Sequence, residues 1–129
     1  MLKGLDEQIT SIYAPIRDEL RLVEDRLRGL AQTDTPYLEP MLDYVMTNGG
    51  KRLRPAITLL AADFYDHQPE NPLIMASAVE LLHVATLIHD DTVDNSDLRR
   101  GKPTVSHLYG QHVAVLFGDY VFATSATFV

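Results

Sequence analysis

Asp90, Asp91 and Asp94 fall within five residues at the end of a long apolar helical pattern, and Arg99-Arg100-Gly101 follow four residues later. On a helix, Asp90 and Asp94 share a face about one turn apart, with Asp91 offset to the side. Like charges that close repel unless something positive sits between them. Mg²⁺ suits the place, because it takes one or two carboxylates together with water and substrate phosphates. The arginine pair suits phosphate oxygens, which a guanidinium grips through a planar fork of donors. Together the residues read as a metal–diphosphate site. Alone, the same acids are equally a solvated helix end, although carboxylates at a helix C-terminus oppose the macrodipole.

A second cluster lies in Gly49-Gly50-Lys51-Arg52-Leu53-Arg54-Pro55, three cations beside a glycine pair that can present bare backbone amides. Phosphate is its natural ligand; a solvated basic turn capping the preceding helix is the other reading. Two phosphate-type sites in one small chain imply two diphosphates. His83 lies seven residues before Asp90 and projects from the same helical face two turns earlier, with Leu87, Asp90 and Asp94 along that line. A lone helix histidine is otherwise a core or surface group. His67, His89, His107 and His112 have no comparable placement.

Helices must hold these residues. Leu5, Ile9, Ile12, Ile16, Leu20, Val23, Leu27 and Leu30 form one stripe at three- and four-residue spacing, interrupted by Pro15, which predicts a kink or two helices. Thr33-Asp34-Thr35-Pro36 reads as loop and N-cap, and a short helix through Tyr44 and Val45 ends at Asn48-Gly49-Gly50. Another helix is expected from about Arg54 to Tyr65, and the longest from Leu73 to about Asp94. Asn95 to Thr104 reads as a polar loop, and a last helix, starting near Val113, is apolar on nearly every side. It stops at Thr127-Phe128-Val129 without a cap, as though a longer protein continued. No stretch shows strand alternation. The expected class is all-α.

At 129 residues and 46% hydrophobic content the chain is one domain, or a piece of one, able to bury a core. A net charge of −7 argues against a nucleic-acid partner. Without cysteine there is no disulfide or thiolate metal site, which fits a reducing cytoplasm. Acid at Asp6 and Glu7 comes too early for a signal peptide, and no uninterrupted apolar run approaches a transmembrane segment, so a soluble protein is expected.

GGKRLRP, then ELLHVATLIHDDTVD, then NSDLRRGKPT, resemble the trans-type isoprenyl (polyprenyl) diphosphate synthases from Tyr37 to Val129, including the later Phe117-Gly118-Asp119-Tyr120. The resemblance implies an all-helical bundle of the isoprenoid synthase type around a deep cavity, residues 1–129 being the N-terminal half of a single domain. It implies that Lys51 and Arg54 bind the diphosphate of isopentenyl diphosphate, with His83 and Arg100 assisting. Asp90 and Asp94 would ligate Mg²⁺, with Asp91 supporting, and Arg99 would contact the allylic diphosphate. Arg52 is a neighbour without a defined role. Metal and cations would draw off the allylic diphosphate, and the double bond of isopentenyl diphosphate would attack the carbocation left behind. An apolar cavity would exclude water from that cation.

Ala85, Thr86 and Leu82 lie just below the aspartates and are smaller than the aromatics that short-chain members of the family place there as a floor; the two-residue insertion of many bacterial short-chain enzymes is also missing. Both imply a product longer than farnesyl, more in keeping with a long-chain polyprenyl diphosphate than with geranylgeranyl. The family's second aspartate-rich motif is absent, Asp119 being a single acid on an apolar helix. A non-catalytic helper subunit, or a truncated helical association module, is therefore an alternative. A terpene cyclase would have no use for Gly49–Pro55. A homodimer is expected from the family and from the excess of apolar helix surface, with product passed to a membrane.

Overall fold

The computed structural model describes residues 2–32, 35–47 and 50–129, with the side chains of Leu2 and Lys3 left aside. The expected cap at Thr33-Asp34 and the helix end at Asn48-Gly49 lie outside the described residues. Helix α1 spans Leu2–Tyr13 and α2 spans Arg17–Gly29, joined by a 3-10 turn over Ala14–Ile16. Pro15 has no N–H to continue an α-helical ladder, so the break falls where the sequence predicts it. Ile16, Val23 and Leu27 are fully buried, but the first half of the stripe is not core, since Leu5 and Ile12 are exposed.

Helices α3 (Leu38–Thr47), α4 (Leu53–Ala62) and α5 (Glu70–Val93) follow. Helix α4 is shorter than the sequence suggests, because Asp63–Tyr65 close in turns that leave Phe64 and Tyr65 exposed. Helix α5 starts three residues before Leu73. Pro72 reads as a breaker but sits in the first turn, where its missing N–H would have had no helical partner. Helix α5 is the axis of the fold, packing on α7, α4, α2 and α6. By length and mean hydropathy it is apolar enough to cross a membrane, although Glu80 interrupts its apolar run, and half of its apolar stretch is buried within the protein.

Helix α5 ends in a tight cap. The Ser96 N–H bonds the Asp91 carbonyl at 2.9 Å and the Asn95 N–H bonds that of Thr92 at 3.3 Å, with Asn95 left-handed at φ 53°. This is the Schellman arrangement, with asparagine in the position usually held by glycine. The expected loop is in fact a small antiparallel hairpin, β1 (Leu98–Arg99) against β2 (Lys102–Pro103). Arg100 and Gly101 turn it, both at positive φ (51° and 75°), as a two-residue hairpin loop of type I′ requires. Thr104 then caps a short helix, α6 (Val105–Tyr109), which the sequence does not announce: its hydroxyl accepts from the His107 N–H at 3.1 Å and lies 2.7 Å from the Ser96 carbonyl. Helix α7 (Gln111–Thr127) buries Ala114, Phe117 and Val121 and exposes Val115, Leu116 and Phe122. The class is all-α, as expected, with one two-residue strand pair among the described residues.

Candidate functional site

Gly50–Arg52 lead into α4, whose first turn carries Arg54. Arg52 adopts the left-handed conformation (φ 56°, ψ 42°), which costs about 1–2 kcal/mol for a residue with a Cβ, so something must hold it. Its guanidinium does: only 6% exposed, it pairs with Glu24 of α2, with Glu80 of α5 at 2.9 Å and with the Met46 carbonyl of α3 at 2.9 Å. Glu24 and Glu80, together with these bonds, keep Arg52 charged against the cost of burial. Lys51 and Arg54, to either side, are exposed. Lys51 Nζ lies 3.9 Å from Asp6, and its carbonyl accepts from Tyr13 at 3.2 Å.

The hairpin supplies the second set of cations. Arg99 grips Asp91 with two parallel bonds, Nε to Oδ2 at 2.9 Å and a terminal nitrogen to Oδ1 at 2.8 Å. Asp91 is 11% exposed and Arg99 41%, so the pair lies at a half-open edge. The bonds to Asp91 hold the Arg99 pKa above its usual value, and the fields of Asp90 and Asp94 add to this. Arg100 reaches back to the other cluster: its guanidinium occupies the space a Cβ on Gly50 would fill. Tyr44 fixes the hairpin base, its hydroxyl donating to the Pro103 carbonyl at 2.5 Å.

Both clusters open on one cavity of about 770 Å³. Lys51, Arg52, Arg54, Glu80, His83, Asp91, Arg99, Arg100 and Lys102 are on its polar side, Arg52 and Glu80 with their side chains paired and buried; Ile9, Ile12, Val45, Leu53, Val84, Leu87 and Ile88 give it an apolar wall. The exposed half of the α1–α2 stripe thus forms part of this wall. Burial lowers the His83 pKa, and Arg54, Arg100 and Arg99 lower it further against a smaller opposing pull from Glu80, so the ring is neutral near pH 7. Lys102, Tyr13 and Tyr44 were not among the sequence candidates. Lys102 was within reach of the reading, as the next cation after Arg99-Arg100-Gly101; the tyrosines become visible only when the helices meet.

Of the three aspartates, Asp91 lines the cavity, whereas Asp90 and Asp94 are exposed and do not. The line of cavity-facing residues on α5 therefore runs His83, Leu87, Asp91, because the Schellman cap ends the helix at Val93 with Asp94 as its cap, and Asp90 is exposed away from the cavity. Among the described residues the side chains of Asp90 and Asp94 make no hydrogen bond or ion pair, and no three His, Cys, Asp or Glu converge on a point. Two unpaired carboxylates one turn apart fit a hard cation that completes its shell with water and phosphate; they do not form an all-protein cage. Ala85 is 1% exposed and packed in the core, while Thr86 and Leu82 are exposed; none of the three lines the cavity. His89, left aside in the sequence, joins α5 to α7: its Nε2 lies 3.2 Å from both the Val115 carbonyl and Asp119. Gly118 lies under the ring, where a Cβ would overlap it.

Residues 35–129 match the polyprenyl synthetase family. A prenyl transferase of Synechocystis sp. is 42% identical over 123 residues, covering 93% of this chain and 38% of that protein. Heptaprenyl diphosphate synthase component 2 of Geobacillus stearothermophilus is 38% identical over 118 residues, covering 92% of this chain and 37% of that protein. The chain thus spans well under half the length of these relatives. Among solved structures, geranylgeranyl pyrophosphate synthase of Lactobacillus brevis aligns with a TM-score of 0.85 at 33% identity, over 95% of this chain and 38% of that one. Heptaprenyl diphosphate synthase of Staphylococcus aureus aligns with a TM-score of 0.80 at 38% identity, over 88% of this chain and 36% of that one. With the matched segment covering both cation clusters and the aspartates, the chain belongs to the polyprenyl synthetase family.

Proposed function

We propose that the chain carries the diphosphate-binding half of a trans-prenyltransferase that joins isopentenyl diphosphate to an allylic diphosphate. One observation carries this reading: two cation clusters far apart in sequence, Lys51/Arg54 and Arg99/Arg100, face one cavity whose remaining wall is apolar. A diphosphate needs the first kind of surface and a prenyl chain the second. Lys51, Arg54, His83 and Arg100 hold the diphosphate of isopentenyl diphosphate, and Arg99 takes the leaving allylic diphosphate. Mg²⁺ held by Asp90 and Asp94 would neutralise charge on that leaving group. The allylic C–O bond breaks, the double bond of isopentenyl diphosphate attacks the cation, and a proton is lost. Val84, Leu87 and Ile88 keep water from the cation. On this reading residues 1–129 are the N-terminal part of one synthase domain, working in the cytoplasm as a homodimer.

The relatives named for heptaprenyl, octaprenyl and solanesyl products support a long-chain product. Thr86 and Leu82 lie off the cavity of this chain but, being exposed, have room for a larger side chain, whereas added volume at Ala85 would overpack the core. In a chain of the relatives' length, Thr86→Phe should shorten the product; no shortening would sink the floor argument. The helper-subunit reading draws on the relative named as a component. A purely structural partner has no use for the two cation clusters. The deciding assay incubates the 129-residue chain with Mg²⁺, labelled isopentenyl diphosphate and farnesyl diphosphate, and sizes any product. Calorimetry with isopentenyl diphosphate alone runs beside it. Binding without turnover is the expected result for half a site; no binding overturns the reading.

A further inference from the structure

We infer that Arg52 is a positioning residue, not a phosphate ligand: it sets where Lys51 and Arg54 stand relative to each other and to His83. The inference rests on the reading of the cavity as a diphosphate site. Three adjacent cations look interchangeable in sequence, yet the side chain of Lys51 is 64% exposed and that of Arg52 6%. The Arg52 guanidinium spends its donors inward, on Glu24, Glu80 and the Met46 carbonyl, so that α2, α3 and α5 are tied to the turn through one side chain. Its left-handed backbone forms the N-cap of α4 between the two exposed cations. Glu80 stands three residues before His83 on α5, so the same ion pair registers the turn against the histidine. The second oxygen of Glu80 is buried without a partner, which leaves that carboxylate dependent on Arg52 for its compensation.

The test compares Arg52→Lys, which keeps the charge but has a single nitrogen in place of the fork, with Val121→Ala, a cavity in the core on α7 away from the site. Each is titrated with inorganic diphosphate in metal-free buffer, alongside urea unfolding and amide exchange of Gly50–Ala56. Arg52→Lys is expected to bind about tenfold more weakly and to exchange faster at the turn, while Val121→Ala, unfolding at lower urea, binds as the wild type does. Glu24→Gln, which removes one negative charge and one acceptor oxygen and keeps the other partners, shifts affinity the same way by less and serves if Arg52→Lys does not fold. Wild-type affinity in Arg52→Lys or Glu24→Gln, or affinity that simply follows stability in all variants, overturns the inference. If the wild-type chain itself takes up no diphosphate, the reading of the cavity falls, and a turn loosened by Arg52→Lys then marks a strut without a functional role.

Discussion

The two cation clusters are built on a common plan and differ in one respect. Each has an arginine turned onto carboxylate, Arg52 onto Glu24 and Glu80, and Arg99 onto Asp91; each leaves another, Arg54 or Arg100, on the cavity wall without a carboxylate partner among the described residues. Arg52, though it borders the cavity, is buried among three helices. Arg99 sits at a half-open edge on strand β1 of the hairpin, and its carboxylate partner is one that a bound phosphate could replace in part. Burial therefore separates framework from function where residue type does not: the inward arginine of the turn is committed, and that of the hairpin is exchangeable.

The largest effect that could break this contrast is on stability. Arg52→Met leaves two carboxylates without compensation and should cost about 3–5 kcal/mol, as for a broken buried pair. Arg99→Met, at a solvent-screened pair, should cost about 1 kcal/mol or less. Urea midpoints decide it, and equal losses would erase the distinction. On binding, Arg99→Met should weaken diphosphate about tenfold, roughly 1.4 kcal/mol, with the fold intact by circular dichroism.

A smaller effect is expected from pH. His83 is held below its ordinary value by burial and by Arg54, Arg100 and Arg99. Its contribution to stability is therefore complete above about pH 6.5 and is lost as pH falls toward its depressed value, where the unfolded chain binds the proton first. Bound diphosphate reverses the local field, so binding should take up a proton and strengthen by a few-fold from pH 8 to pH 6. Calorimetry in buffers of different ionisation heat reads the uptake, and His83→Gln should remove its share. Smallest is Gly50→Ala. Its methyl meets the mobile end of Arg100, so affinity should fall about two- to threefold with the unfolding midpoint unchanged.

Much of this was legible in the chain because spacing survives folding. The 3-10 break follows from Pro15, and the helical class follows from the recurrence of Ile16, Val23 and Leu27. The convergence of Lys51 and Arg54 with Arg99 and Arg100 was legible as two clusters of one chemistry, but their shared cavity depends on how α3, α4 and α5 pack. What sequence could not sort was direction. Lys51, Arg52 and Arg54 look equivalent until Glu24 and Glu80, 28 residues to either side, claim the middle one. Asp90, Asp91 and Asp94 look like one cluster until the Asn95 cap fixes where the helix stops and Arg99 singles out Asp91. The expected start of the longest helix at Leu73 fell three residues late because Pro72, a breaker inside a helix, is a permitted residue in its first turn. Glu80, a lone acid in an otherwise apolar helical run, was the available hint that a buried cation would come to meet it.

Gly118 has a mechanical reading beyond its fit under His89. The ring bridges two rigid rods, and the residues after it are Asp90 and Asp91. A single methyl at 118 would act as a shim between the rods just where the lever arm to the carboxylates is shortest. Such a wedge would tilt the carboxylate end of α5 while Glu80, which holds Arg52 about two and a half turns earlier on the helix, stays put. Gly118→Ala would thus detune one half of the site against the other, making that bare α-carbon an alignment screw for the whole bundle.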